Sequence, residues 1–148
     1  MWRRTMIAKR KTVLVDIDGT VSINEGRRGF YEWDKVHLDA PNQPIIDLVN
    51  TMFEDYAEII FVTGRDAICE QATREWLSEH FYWFNKESKV YMRPIGDNRE
   101  DTIVKKEIYE NKIEPRCDVA FVLDDRSCVV DMWRSLGLTC LQVAPGVF

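Results

Sequence analysis

Five short runs of apolar and β-branched residues, separated by segments of helical period, constrain this chain more than any other feature. The runs are Thr12–Asp16, Glu58–Thr63, Lys89–Arg93, Val119–Leu123 and Thr139–Val143. Between them, 44–56 places Ile45, Leu48, Val49, Met52 and Phe53 on one helical face, with Pro44 in the first turn. Residues 66–81 carry the stripe Ile68, Ala72, Trp76 and Leu77, another helix is expected from about Asn98 to Lys112, and Ser127–Leu136 ends at Gly137. Strands that alternate with helices need crossover connections, and a parallel sheet with helices on both faces buries such strands best. The expected class is a three-layer α/β fold. Only Ser22–Asn42 breaks the alternation: it is polar, contains Gly26 and Gly29 and shows no sustained period, so it reads as a loop or small flap after the first strand.

Composition narrows the functional classes. The chain has 148 residues, 45% of them apolar and 11% aromatic, enough for a core without disulfide or metal staples. Its longest apolar stretches, such as Ile59-Ile60-Phe61-Val62, fall far short of the ~20 residues of a membrane span. No repeat, low-complexity tract or linker marks a second domain, so 1–148 reads as a single domain. The first eleven residues, MWRRTMIAKRK, hold five basic residues and no acid, but no apolar signal-peptide core follows them. They read as a basic N-terminal arm, 1–11. Cys69, Cys117, Cys128 and Cys140 form no CxxC pair and have no histidines at metal spacing, which predicts a reducing, cytoplasmic setting. The formal net charge is −5, and without the arm 15 basic residues face 25 acidic ones, a body at −10. Acidity of that size opposes any holding of polyanions by bulk electrostatics.

In a parallel α/β sheet, ligands bind beyond the carboxyl ends of the strands, near the point where strand order reverses. Three polar clusters fall at such ends: Asp16-Ile17-Asp18-Gly19-Thr20, Thr63-Gly64-Arg65 and Asp124-Asp125-Arg126. Aspartates delivered two at a time by neighbouring buried strands disfavour their own ionisation unless a cation joins them. A hard divalent ion is therefore implied. Magnesium, which takes oxygen ligands and keeps waters and substrate phosphate in its shell, suits Asp16, the Asp18 segment and Asp124 or Asp125. Arg65, Arg27 or Arg28, and Lys105 are the candidate cations around a transferring phosphoryl group.

Each element alone also has a plainer reading. Aspartate is a common turn residue and helix N-cap, and glycine at a strand end is ordinary loop chemistry. Asp124 and Asp125 would serve as caps for the following helix, and Lys105, near Glu107 and Glu110, as part of a solvated helix face. Their joint order, each at a strand end, favours the phosphoryl-transfer reading.

The pattern Asp16-x-Asp18-Gly19-Thr20 after an apolar strand, a hydroxyl residue at the second strand end, a later lysine and Asp-Asp after a further strand resembles the haloacid dehalogenase (HAD) superfamily of aspartyl-phosphate phosphatases. DIDGTVSINEGRRGFYEWDK, FVTGR, DNREDTIVKKEIYENKIEP, LDDRSCVVDMWRSLGL and CLQVAPGVF extend the resemblance over about Lys9 to Phe148, to the 3′-phosphatase domains of the phage-type polynucleotide kinase-phosphatase family. The resemblance implies a Rossmann-like, HAD-type sheet without a large cap domain. It implies Asp16 as nucleophile, Asp18 as general acid and then base, Thr63 as a hydroxyl donor to a phosphoryl oxygen, and Arg65 at the rim of the site. Lys105 would neutralise the phosphoaspartate, and Asp16, Asp18, Asp124 and Asp125 would form the magnesium site. Arg27 or Arg28, with Thr63, Gly64 and Arg65, would contact substrate.

Thr63 stands where the phage enzymes carry serine, and no GxxxxGK[ST] phosphate loop occurs, so no kinase activity is expected of this chain. An uncapped site favours a substrate whose bulk extends outside it, such as a DNA or RNA 3′ end bearing a 3′-phosphate, with 2′,3′-cyclic phosphate as a further candidate. Local positive charge from Arg27, Arg28, Arg65, Arg99 and the basic arm would hold that end. The alternatives are a phosphatase of the same superfamily acting on nucleotides or other small phosphomonoesters, and a non-catalytic nucleic-acid-binding module. The aromatic run Phe81-Tyr82-Trp83-Phe84 is either a helix end packed on the core or a subunit contact, which leaves monomer and homo-oligomer both open.

Overall fold

The computed structural model describes residues 9–56 and 58–148. Most of the basic arm, residues 1–8, lies outside them, and its last two residues, Arg10 and Lys11, open the first strand rather than a separate arm. The elements in chain order are β1 (Arg10–Val15), β2 (Ser22–Ile23), a 3₁₀ turn (Trp33–Leu38), β3 (Ala40–Pro41), α1 (Gln43–Met52), β4 (Glu58–Asp66), α2 (Glu70–His80), β5 (Val90–Arg93), α3 (Asp101–Ile108), β6 (Cys117–Asp124), α4 (Ser127–Ser135) and β7 (Cys140–Gln142).

The five long-range strands pair in the order β5-β4-β1-β6-β7, and every neighbouring pair is parallel. The expected parallel sheet is thus present. The chain leaves the central β1 toward β4 and β5, then returns to lay β6 and β7 on its other side. That reversal puts the ends of β1, β4 and β6 side by side.

Period-two alternation sorts the core into two layers. Val13, Val15, Ile59 and Phe61 pack with Ile46 and Val49 of α1 and with Trp76 and Leu77 of α2. Leu14, Ile60, Val62 and Val122 pack with Val104 and Ile108 of α3 and with Val129, Val130 and Trp133 of α4. Both faces of the sheet are covered, as continuous apolar strands require. The Phe81–Phe84 run belongs to the first layer: Phe81 is buried, and Trp83 stacks on Phe53 with ring centroids 4.7 Å apart.

Two stretches differ from the periodic reading. The helix expected from about Asn98 to Lys112 begins at Asp101 and widens at Tyr109–Ile113 into a π turn, closed by the Glu114 N–H donating to the Tyr109 carbonyl at 2.8 Å. Ser22–Asn42, expected as a loop or flap, is organised by a minimal hairpin, Ser22 opposite Pro41 and Ile23 opposite Ala40, with the 3₁₀ turn between its strands. Two-residue strands are too short to show any periodicity. This flap is the only structure between β1 and α1, so nothing there amounts to a cap domain.

Candidate active site

The chain beyond β1 is held in ladder register for one more residue, because the Asp16 N–H donates to the Leu123 carbonyl of β6 at 2.9 Å. It then turns tightly, with the N–H groups of Thr20, Val21 and Ser22 all donating to the Ile17 carbonyl at 3.0 to 3.1 Å. Gly19 makes the turn at φ +80°, and a Cβ there would lie 2.1 Å from Asp125 Oδ2. Glycine is required twice over, for backbone conformation and for space. The turn brings Thr20 back beneath Asp16: its hydroxyl donates to Asp16 Oδ2 at 2.9 Å and lies 3.5 Å from Asp125 Oδ1.

Asp16, Asp124 and Asp125 form one buried cluster, with a carboxylate oxygen from each within 4.8 Å of the others. Lys105 reaches in from α3 and donates to Asp16 Oδ1 at 2.8 Å and Asp124 Oδ2 at 2.9 Å. Asp124 is further fixed by Trp133 Nε1 at 3.1 Å on Oδ2 and by the Asp125 N–H at 2.8 Å on Oδ1. Burial, and then the neighbouring Asp124, pushes the Asp16 carboxyl well above the usual range, while burial also raises Asp125. Burial works against the Lys105 ammonium, but Asp124 and Asp16 outweigh it and raise its pKa. Fully ionised, three carboxylates against one ammonium would carry an excess of two negative charges in a buried pocket, and burial together with that excess pushes the Asp16 carboxyl toward its protonated form. The donor set, all oxygen and all buried, fits a hard divalent cation.

Two residues along, Asp18 has opposite surroundings. Arg65 grips it with both arms of a fork, Nε to Oδ2 at 3.0 Å and Nη2 to Oδ1 at 2.8 Å, and Arg28 Nη2 adds a third contact at 3.0 Å. Asp39, fully buried, ties the two arginines together: it accepts from Arg28 Nε at 2.8 Å and Nη2 at 3.0 Å, and from Arg65 Nη2 at 2.7 Å. Thr73 of α2 takes the remaining arm, Arg65 Nη1, at 3.1 Å. Desolvation pushes the Asp18 carboxyl upward, but Arg65 and then Arg28 outweigh it and hold the pKa below the ordinary value. Two acids and two arginines balance in charge, and the arrangement is rigid by virtue of bidentate geometry.

The structure brings Asp16, Lys105, Asp124 and Asp125 together and refines several other expectations. Asp18, expected among the metal ligands, spends its carboxylate on Arg65 and Arg28 instead. Arg65, expected at the rim, is 1% exposed and has every arm engaged. Of the adjacent pair, Arg28 reaches Asp18, whereas Arg27 points out to Glu25 Oε2 at 2.9 Å and the Leu38 carbonyl. Thr63 is buried at the end of β4, where its hydroxyl accepts the Arg65 N–H at 3.2 Å. Gly64 is crowded by Asp101: a Cβ would stand 2.5 Å from Asp101 Oδ1, a carboxylate that also pairs with Arg93 and with Arg126 Nη1 at 2.8 Å. Arg99, offered as a free cation for the substrate, is tied to Asp97 and Glu107 at 2.7 Å each. Of the cations expected to grip a polynucleotide, Arg27, Arg28, Arg65 and Arg99 are each paired with acids of this chain.

Sequence reasoning missed Asp39, Thr73, Trp133 and Asp101, and also Ser22, whose hydroxyl accepts from Arg65 Nη2 at 3.3 Å. Thr20 stood inside the motif without a role. Asp39 had the faintest signal, an acid in an aperiodic stretch that also holds two adjacent arginines. Trp133 was hidden as one more apolar residue on the α4 stripe.

Comparison with known proteins agrees with this geometry. Residues 10–148 match the family described as the polynucleotide kinase PNKP phosphatase domain. A protein of Autographa californica nuclear polyhedrosis virus, described as a bifunctional polynucleotide kinase/RNA ligase, is 38% identical over 128 residues, 85% of this chain but 18% of that protein. Among solved structures, a chain of the Pnkp1/Rnl/Hen1 RNA repair complex superposes with a TM-score of 0.87 at 34% identity, covering 95% of this chain and 44% of the other. The class C acid phosphatase of Bacillus anthracis with tungstate bound shares the fold, with a TM-score of 0.65 at 17% identity over 96% of this chain and 69% of its own. This chain spans less than half the length of its polynucleotide-repair relatives. With the match running from the first strand to the last residue, the chain belongs to the PNKP phosphatase domain family of HAD-like phosphatases.

Proposed function

We propose that this domain is a magnesium-dependent polynucleotide 3′-phosphatase acting on DNA or RNA ends through a phosphoaspartate on Asp16. The observation that carries the reading is the opposed surroundings of two aspartates on one loop: Asp16 in a cluster of three carboxylates that share one lysine, Asp18 in a closed two-arginine clamp. Asp16, Asp124 and Asp125 would hold the magnesium ion, whose positive charge would favour the carboxylate form of Asp16 and offset charge on the phosphoryl oxygens. Asp16 Oδ2, steadied by Thr20, is the nucleophilic atom. Lys105 holds Asp16 and Asp124 in register and keeps a positive charge beside the acceptor. Asp18, which Arg65 and Arg28 hold in the ionised form and fix in direction, is set as the base that takes a proton from the water attacking the phosphoaspartate; to serve the first step it must take up a proton before substrate binds and pass that proton to the leaving 3′ oxygen, which departs as the hydroxyl. The Thr63 hydroxyl serves the phosphoryl oxygens from the end of β4. The reading carries with it a single phosphatase domain in a reducing, cytoplasmic setting, with any kinase or ligase partner on other chains or segments.

The shallow flap between β1 and α1 supports a substrate whose bulk stays outside. The test compares phosphate release, with magnesium, from a 3′-phosphorylated oligonucleotide, a 3′-nucleotide and an aryl phosphate. The oligonucleotide is expected to react with the highest kcat/KM; equal or better rates on the small substrates would move the assignment to a small-phosphomonoester phosphatase.

A further inference from the structure

Arg27, Arg28, Arg65 and Arg99 are paired with acids on a body at −10, and the surface beside the Asp18 clamp offers a nucleic-acid end a grip of another kind. A groove of about 520 Å³ runs between the flap and the start of α2. Its apolar walls are Tyr31 and Trp33 on one side and Ile68 and Ala72 on the other. Tyr31 is 77% exposed and Ile68 68%, unusual for large apolar side chains facing one another across a cleft. The flap aromatics are ordered as a stair: Phe30 edge-on to Tyr31 at 4.9 Å, Tyr31 edge-on to Trp33 at 6.1 Å.

Side-chain contacts link both walls of the groove to the active site. On the flap side the Trp33 ring lies 5.8 Å from the Arg28 guanidinium, which donates to Asp18. On the α2 side Cys69 lies 3.5 Å from the Thr73 hydroxyl, which accepts from Arg65, the other arginine on Asp18. The flap wall thus reaches Asp18 through Arg28, and the α2 wall through Thr73 and Arg65. The polar lining is Asp34, Gln71 and Glu75, which would repel a phosphodiester but accept hydrogen bonds from exocyclic amino groups.

We infer that this groove takes the base of the 3′-terminal or adjoining nucleotide, stacked on Tyr31 and Trp33, while the phosphate it carries lies at Asp16. The inference rests on the polynucleotide reading above and gives it a source of affinity that needs no free cation. Aromatic stacking accepts every base, so the groove selects for nucleic acid without selecting sequence.

The test uses Tyr31→Ala, whose side chain is exposed enough to be lost without unfolding, on two oligonucleotides that differ only in whether the 3′-terminal nucleotides carry bases or are abasic. The wild-type chain is expected to favour the base-bearing end, and Tyr31→Ala to lose roughly 10-fold in KM on it, with kcat held and the abasic end unaffected. As a readout independent of turnover, a 5-iodouracil at the 3′ terminus is expected to photo-crosslink to Tyr31 or Trp33. Equal behaviour of variant and wild type on the base-bearing end, or crosslinks elsewhere, overturns the inference and leaves the groove to a protein segment. Equal losses on both ends overturn it in favour of an indirect effect through Arg28. A wild-type chain that ignores both oligonucleotides but cleaves small phosphomonoesters overturns the substrate reading itself, and this inference with it.

Discussion

Asp16 and Asp18 are two residues apart on one loop, yet their surroundings are built on opposite plans. Around Asp16, three buried carboxylates share a single lysine, and the cluster would have negative charge to spare if all three were ionised. Around Asp18, two acids and two arginines close on themselves with six hydrogen bonds below 3.1 Å. The first cluster is incomplete without a cation; the second is complete as it stands. The difference separates a place that receives ligands from a place that holds a tool steady.

The sharpest way to break the comparison is at its centre. Asp16→Asn keeps the shape of the loop but removes the nucleophile, and is expected to cut turnover by more than ~10³-fold with unchanged thermal unfolding or a slight gain. Residual activity near wild type would remove the covalent mechanism. The closed cluster should respond in the reverse sense, through stability. Asp39→Ala leaves Arg28 and Arg65 buried with half their counter-charge, a loss of about 3–5 kcal/mol by denaturant unfolding, with activity falling because Asp18 loses its orientation. A variant that unfolds like wild type would show that the two arginines find other partners.

Smaller effects sharpen the contrast. Magnesium is expected to raise the unfolding free energy by about 2–3 kcal/mol when it exceeds its dissociation constant roughly 100-fold, and Asp125→Asn to abolish most of that rise. A rise retained in Asp125→Asn would place the ion elsewhere. Smallest of all, Arg27→Ala removes an exposed pair with Glu25 and an exposed hydrogen bond to the Leu38 carbonyl, and is expected to shift stability by less than ~0.5 kcal/mol and kcat/KM by less than about twofold. If this variant loses substrate affinity in a strongly salt-dependent way, Arg27 contacts the polynucleotide backbone after all.

The fold was legible because its strands are buried on both faces and its helices carry unbroken apolar stripes: Val13, Leu14 and Val15 can only be the middle of such a sheet. The carboxylate cluster was legible for the same reason, since a strand end fixes where Asp16, Asp124 and Asp125 must lie. The clamp was not. Asp39 and Arg28 sit in a flap whose strands are two residues long, and nothing periodic announces that an acid eleven residues from one arginine and 26 from another will be buried between them. Arg65 was misplaced at the rim because burial of an arginine depends on partners that sequence order does not reveal.

The two clusters also differ in when the chain can make them. Every side chain that grips Asp18 or braces the grip, Arg28, Asp39, Arg65 and Thr73, comes from the first half of the chain, while the bond from Lys105 to Asp16 spans 89 residues and that from Thr20 toward Asp125 spans 105. Contacts so distant in sequence form only after long loops have closed. A chain made only as far as α2 therefore contains every group of the tool and lacks Lys105, Asp124 and Asp125 of the pocket it serves, so catalytic competence reports the docking of the last strands.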